Sequence, residues 1–186
     1  MSDGQLTPRV GAEDHTAGPG DAPVTLVEYG DYECPYCGMA YPIVKRMQQR
    51  MGDRLRFAFR NFPLVESHPY AEHAAEAAED AAAQGNFWGM HDTLYEHQRA
   101  LDDMHLLRYA AELGLDADDM ARAIEMGTFE PRVRQDFRSG VRSGVNGTPT
   151  FFINGERFDG NWSDEGAFLD ALIEAAESSG SRTFGE

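Results

Sequence analysis

Cysteine is nearly absent from this chain: 186 residues carry two, Cys34 and Cys37. That scarcity excludes a disulfide-stapled scaffold of the secreted kind. A bridge between residues three apart would also restrain the unfolded chain little. Positive charge is scarce as well. Sixteen basic residues face 32 acidic ones, the net charge is −16, and Lys45 is the single lysine. Such a field repels nucleic acid and anionic lipid, so neither is expected as a main partner. No apolar run approaches the roughly 20 residues of a membrane span. The first residues, MSDGQLTPRVGAEDHTAGPG, lack the basic start and apolar stretch of a secretory signal, and a cytoplasmic location is expected. What remains is a chain with 41% hydrophobic residues and 11% aromatics, enough to pack the core of one domain, with or without an insertion.

Periodicity orders that domain. Residues 1–21 read as an irregular arm. PVTLVEYG (23–30) is β-rich and apolar, which predicts a buried strand. A helix follows to about Gln49, with Met39, Ile43, Val44 and Met47 on its apolar face. In RLRFAFR (54–60), Leu55, Phe57 and Phe59 alternate as in a strand, giving a β-α-β unit with parallel strands. Residues 67–126 carry almost no strand signal. Four short helices are expected there, one placing Phe87, Met90, Leu94 and His97 near one face, and one capped by Asp116 and closed by Gly127. The next helix has Pro131 in its first turn and Val133, Phe137 and Val141 as its buried stripe. Asn154-Gly155 then marks a hairpin between Thr150–Ile153 and Glu156–Phe158. A last helix starts near Ser163 with Phe168, Leu169, Leu172, Ile173 and Ala176 on one face. The order is β-α-β, a helical block, then α-β-β-α. This is an α/β chain with a thioredoxin fold whose halves are separated by an all-helical insertion. The segments are the arm 1–21, a first half 22–65, the insertion 66–128, a second half 129–178 and a frayed tail 179–186.

Both cysteines fall in one C-P-Y-C, directly after the first strand. With Cys34 at the helix N-cap, Pro35 takes the first helical position, where a missing N–H is no loss. The unpaired N–H groups of the first turn and the helix dipole then favour a Cys34 thiolate, so its pKa is expected to be depressed. Cys37, one turn along and more buried, is placed to resolve a mixed disulfide at Cys34. A zinc site would need two more ligands. The chain has no second C-x-x-C, and its six histidines show no ligand pair such as H-x-x-x-H, so no metal is expected.

DYECPYC after VTLVEYG, together with GVNGTPTFFINGERFDG (144–160), resembles the DsbA-like branch of thioredoxin-fold oxidoreductases. The likeness covers roughly residues 10–178. It implies that Pro149, preceded by Thr148, forms a cis peptide against the dithiol and leaves the backbone before it to pair with an extended substrate. It also implies a buried acid, Glu28, that relays a proton to or from Cys37; strand alternation alone would equally let Glu28 face solvent. Relatives often pair this acid with a lysine on the neighbouring strand. Here Arg56 or Arg60 stand as substitutes, or the acid has no cationic partner. His68, before Pro69, either borders the site or serves the entry to the next helix, the second reading being favoured. Tyr36 shapes the entrance between the cysteines. Arg134, Arg138 and Arg142 form one basic stripe, read first as a solvated face and second as an attractor of acidic substrates.

The expected activity is thiol–disulfide exchange with protein thiols or disulfides and without a cofactor. Glutathione or a thioredoxin-type protein is a possible electron partner. In the cytoplasm the pair would be held reduced, favouring net reduction, isomerisation or redox protection. Two other readings stay open. One is a glutathione-linked enzyme of the glutaredoxin or isomerase kind; the other is a redox-inert chaperone or docking domain on the same fold.

Overall fold

The computed structural model describes residues 4–181, and the chain forms two compact units. The first comprises the residues up to Tyr29, Met39–Arg60 and those from Ser139 on. It holds a five-stranded sheet in the order β1-β3-β2-β4-β5, with β1 His15–Ala17, β2 Val24–Gly30, β3 Leu55–Asn61, β4 Thr150–Ile153 and β5 Glu156–Phe158. The neighbours β2 and β3 are joined through helix α1, Pro35–Met51. β4 runs antiparallel to β2, pairing Leu26 with Ile153 and Tyr29 with Thr150, and β5 returns along β4. The turn between them needs left-handed backbone, and Asn154 (φ 51°) and Gly155 (φ 88°) supply it. Helix α7, Glu165–Ser181, is capped by Asp164, whose side chain accepts the Ala167 N–H. Phe168 of α7 is fully buried against Phe151 and Phe158. Of the tail expected to fray, residues 179–181 continue α7, and the rest lies outside the described residues.

The arm is not wholly irregular: His15–Ala17 pairs antiparallel with β3 as an edge strand. Three residues give no alternation to read. What fixes them is an ion pair, since Arg60 donates to both carboxylate oxygens of Asp14 and to the Pro8 carbonyl. Helix α1 buries Ala40, Ile43, Val44, Met47 and Met51. Met39, expected on that face, is 57% exposed, because the 3–4 spacing of the buried stripe passes through Ala40 instead.

The second unit comprises Gly30–Gly38 and Asn61–Arg138. Its helices are α2 Ala71–Ala83, α3 Phe87–Glu96, α4 Asp103–Glu112, α5 Ala117–Met126 and the greater part of α6 Glu130–Arg142. α2 is the centre, contacting α3, α4 and α5. Its buried alanines, Ala71, Ala74, Ala75, Ala77, Ala78 and Ala81, let larger neighbours such as Met90, Leu94, Leu106, Tyr109 and Met120 close over it. Asn86, Asp102 and Asp116 cap α3, α4 and α5 by accepting first-turn N–H groups, and left-handed Gly127 ends α5. His97 is exposed, not on the buried face, because α3 ends one residue before it.

Helix α6 departs furthest from its apolar pattern. Val133 is buried, but Val141 is 55% exposed. The buried face is continued by Asp136 and Ser139 and, just past the helix end, by Ser143, each satisfied by a hydrogen bond. Asp136 accepts the Asn61 N–H at 2.9 Å, Ser139 meets the Tyr29 hydroxyl at 2.7 Å, and Ser143 accepts the Thr7 N–H at 2.8 Å. Buried polar groups of this kind survive because they are paired.

Candidate active site

The C-P-Y-C and its surroundings belong to the helical unit. α1 starts at Pro35, and the Gly38 N–H donates to the Cys34 carbonyl at 3.0 Å, which makes Cys34 the N-cap. Cys37 is therefore the third helical residue. Both are thiols here and both are buried, Cys34 4% and Cys37 0% exposed. Tyr36 between them is 63% exposed and Pro35 is exposed too, so the dipeptide is the outward part of the motif.

The loop before α1 is held by Asp31, which is 1% exposed. Its carbonyl accepts the Cys34 N–H at 3.1 Å, and its own N–H points at the Cys37 sulfur at 3.5 Å. One carboxylate oxygen accepts the Glu33 N–H at 2.8 Å. The other accepts the Leu64 N–H and meets the His68 Nδ1, both at 2.8 Å. His68 thus adjoins the dithiol loop. It also lies three residues ahead of Ala71, where α2 starts, and its carbonyl accepts the Ala71 N–H at 3.3 Å. Burial opposes protonation of His68, but the hydrogen bond and charge of Asp31, with Cys34 and Glu33 adding to it, outweigh burial and raise its pKa above the ordinary imidazole value.

Gln98 closes the loop from the other side. Its Nε2 donates to the Tyr32 carbonyl at 2.8 Å and to the Cys34 carbonyl at 2.9 Å. Its carboxamide occupies the space a side chain at position 38 would take, 1.9 Å from an added Cβ, so the motif is followed by glycine. Beneath the loop, Tyr32 packs on Tyr95 at 4.9 Å and meets the buried His91 Nδ1 at 3.0 Å.

The remaining expected site residues belong to the sheet unit. Glu28 is 2% exposed, so it does not face solvent. It stands opposite Phe151 on the face that packs on α7. Neither arginine is placed to partner it. Arg60 is bonded to Asp14 and the Tyr29 hydroxyl, and Arg56 lines a cavity with Thr25 and Val27. Both therefore lie on the sheet face of residues 25, 27 and 29, opposite that of Glu28. The Thr148–Pro149 peptide is cis, and it leads into Thr150, the partner of Tyr29. Thr148, Pro149 and Glu28 hence lie at one end of the β2–β4 ladder. Among the described residues no group of three or more His, Cys, Asp and Glu side chains could hold a metal ion.

Sequence reasoning passed over Asp31 and Gln98. Asp31 had a local signal, an Asp two residues before the N–H its side chain accepts, which is the pattern of an Asx-turn. Gln98 had none, since it lies 64 residues from the carbonyl it binds.

A thioredoxin family model matches residues 11–175. Among curated relatives, the sodium/proton antiporter NhaA 3 of Salinispora tropica is 48% identical over 152 residues, which make up 82% of this chain and 23% of that protein. The antiporter NhaA of Herminiimonas arsenicoxydans is 41% identical over 179 residues, 96% of this chain and 28% of that one. The chain thus spans about a quarter of the length of the curated relatives it matches. Of solved structures, a thioredoxin-like oxidoreductase from Silicibacter pomeroyi is similar with a TM-score of 0.77 and 27% identity, covering 90% of this chain and 94% of that one. Oxidised BdbD from Bacillus subtilis has a TM-score of 0.79 at 24% identity and covers 95% of each chain. Wolbachia pipientis α-DsbA1 reaches 0.80 at 18% identity, over 94% and 96%.

Proposed function

We propose, from the premise that this chain belongs to the thioredoxin family, that it is a DsbA-like thiol–disulfide oxidoreductase acting on protein substrates. One observation carries the reading: Cys34 is the N-cap of α1 and Cys37 is its third residue. The first-turn N–H groups favour a thiolate at Cys34. That thiolate attacks a substrate disulfide, forming the Cys34–substrate bond and expelling one substrate thiolate. Cys37 then loses its proton and attacks the Cys34 sulfur, expelling the second substrate thiolate. Two electrons have passed to the substrate, and the enzyme holds the Cys34–Cys37 disulfide. The reverse sequence oxidises a dithiol substrate.

Glu28 is assigned the proton of Cys37, and Thr148–Pro149 the pairing with substrate backbone; both assignments rest on the family resemblance. Protein substrates are favoured over glutathione because Tyr36, Val65 and Tyr70, all in the unit that holds the dithiol, expose 47% or more of their surface. Of these, Tyr36 stands between the two cysteines, where an apolar side chain of a protein substrate can pack on its ring. No helix among the described residues is long and apolar enough to cross a membrane. Ion transport belongs to the name of relatives about four times as long, and the dithiol gives this segment its own chemistry. In the cytoplasm, the compartment we propose, the pair would act as a reductase, isomerase or protectant.

The test is exchange with a disulfide-bonded protein. Cys34→Ser should abolish turnover, and Cys37→Ala should accumulate a mixed disulfide that dithiothreitol releases. Full recycling by glutathione with Cys37→Ser still active would favour the glutathione-linked enzyme. No exchange by the wild type, with binding of unfolded protein that survives in the Cys34→Ser, Cys37→Ser double variant, would favour the redox-inert chaperone.

A further inference from the structure

We infer that Asp31 and His68 form a positioning pair that holds a positive charge toward Cys34 and so sets how strongly the reduced dithiol is stabilised. The inference rests on the oxidoreductase reading above and names a determinant of its poise. Three facts carry it. Asp31 is buried and bonded to both halves of the motif, through its carbonyl to the Cys34 N–H and through its N–H to the Cys37 sulfur. Its carboxylate already accepts two backbone N–H groups, which fix its orientation, and the His68 Nδ1 completes its set at 2.8 Å. His68 is itself enclosed, with 18% of its side chain exposed, so its charge is only partly screened.

The charged groups acting on His68 are Asp31, Cys34 and Glu33, all anionic when ionised, and each favours the imidazolium. Coupling of this kind is reciprocal: if a Cys34 thiolate makes His68 hold its proton, protonated His68 makes Cys34 hold its negative charge. Formation of the Cys34–Cys37 disulfide removes the thiolate charge, so His68 must release its proton more readily in the oxidised protein. The sign with pH follows. Below the raised His68 pKa the imidazolium stabilises the thiolate form, and as pH rises through that pKa the support is lost and the pair becomes more easily oxidised.

Three substitutions separate charge from mere latching. His68→Gln keeps an N–H for Asp31 but no charge, His68→Lys keeps a cation, and His68→Ala keeps neither. Thiolate absorbance of the reduced protein, titrated over pH, should move upward in the Gln and Ala variants and return toward wild type in the Lys variant. The equilibrium with glutathione should shift about three- to tenfold toward the disulfide form in Gln and Ala. Imidazole NMR titration of the wild type should give a lower His68 midpoint after oxidation by diamide than after reduction by dithiothreitol. A Gln variant that matches wild type in thiolate titration, or a His68 midpoint independent of redox state, would overturn the inference and leave His68 as a loop latch. None of these readouts needs a protein substrate. A failed protein-exchange assay would therefore count against the proposed function and leave this test standing.

Discussion

Glu76 lies on the buried face of α2, 4% exposed, and its Oε2 has no hydrogen-bond partner among the described residues. Burial, reinforced by Glu72, Glu130 and Asp103 and opposed by His73, pushes its pKa up to about 7. A carboxyl whose folded pKa is raised binds its proton more tightly in the native state than in the unfolded chain. Stability from this group is therefore greatest below its unfolded pKa, falls as pH rises toward 7, and is fully lost above it. Glu76→Gln removes the titration and keeps the shape. The variant should unfold like wild type at pH 4 and be more stable at pH 8 by about 1–2 kcal/mol, a part of the full shift because solvent relaxes around the group. Urea melts at the two pH values check this, and equal differences at both would show that Glu76 is ionised throughout. Nothing in AEHAAEAAEDAAA announces this residue. Acids at its spacing normally line a solvated face, and only the crowding of α3, α4 and α5 around the alanines makes one costly.

The helices, α6 included, and the strands of strong period were legible, while the edge strand β1 and the helix faces held by polar pairs were not. β2, β3, the hairpin at Asn154-Gly155 and α2 to α5 follow from alternation, turn chemistry and caps, all properties of neighbouring residues. Met39 and Val141 failed the same reading because a helix face is chosen by its partners. α6 turns Asp136 and Ser139 inward, residues whose burial depends on acceptors and donors far along the chain. The start of α1 shows this coupling between elements in testable form. Gly38 and Gln98 occupy one another's space, and the Gln98 amide ties two carbonyls of the dithiol loop. Gly38→Ala should push that amide off its two carbonyls, a loss of about 1–2 kcal/mol partly offset by the better helix former. Gln98→Ala loses the same bonds and opens the space. The double variant should thus be destabilised by clearly less than the sum of the singles, a coupling of about 1 kcal/mol or more in denaturant melts. Strict additivity would mean that the two residues do not share the site.

Over the whole chain the surplus of acid decides how stability responds to salt. With 32 acidic and 16 basic residues, carboxylates outnumber lysines and arginines two to one, so their mutual repulsion is only partly offset. Pairs such as Arg46–Glu165, Arg122–Asp119 and Arg134–Glu130 are exposed and contribute little each. Arg134 is part of the basic stripe of α6, and its bond to Glu130 supports the solvated-face reading of that stripe. Added salt weakens these attractions and the repulsion among the unpaired carboxylates alike, and the repulsion is the larger sum because it involves every surplus charge. Raising KCl from about 0.05 M to about 0.5 M shortens the screening length from about 14 Å to about 4 Å. The thermal midpoint at pH 7 should rise by about 2–4 °C, roughly 1 kcal/mol for a chain of this size. The same step at pH 4.5, where part of the acidic surplus is neutralised, should raise it less. A midpoint that stays flat or falls with salt at pH 7 would show that the ion pairs outweigh the surplus, and that the acidic composition imposes no net strain on the fold.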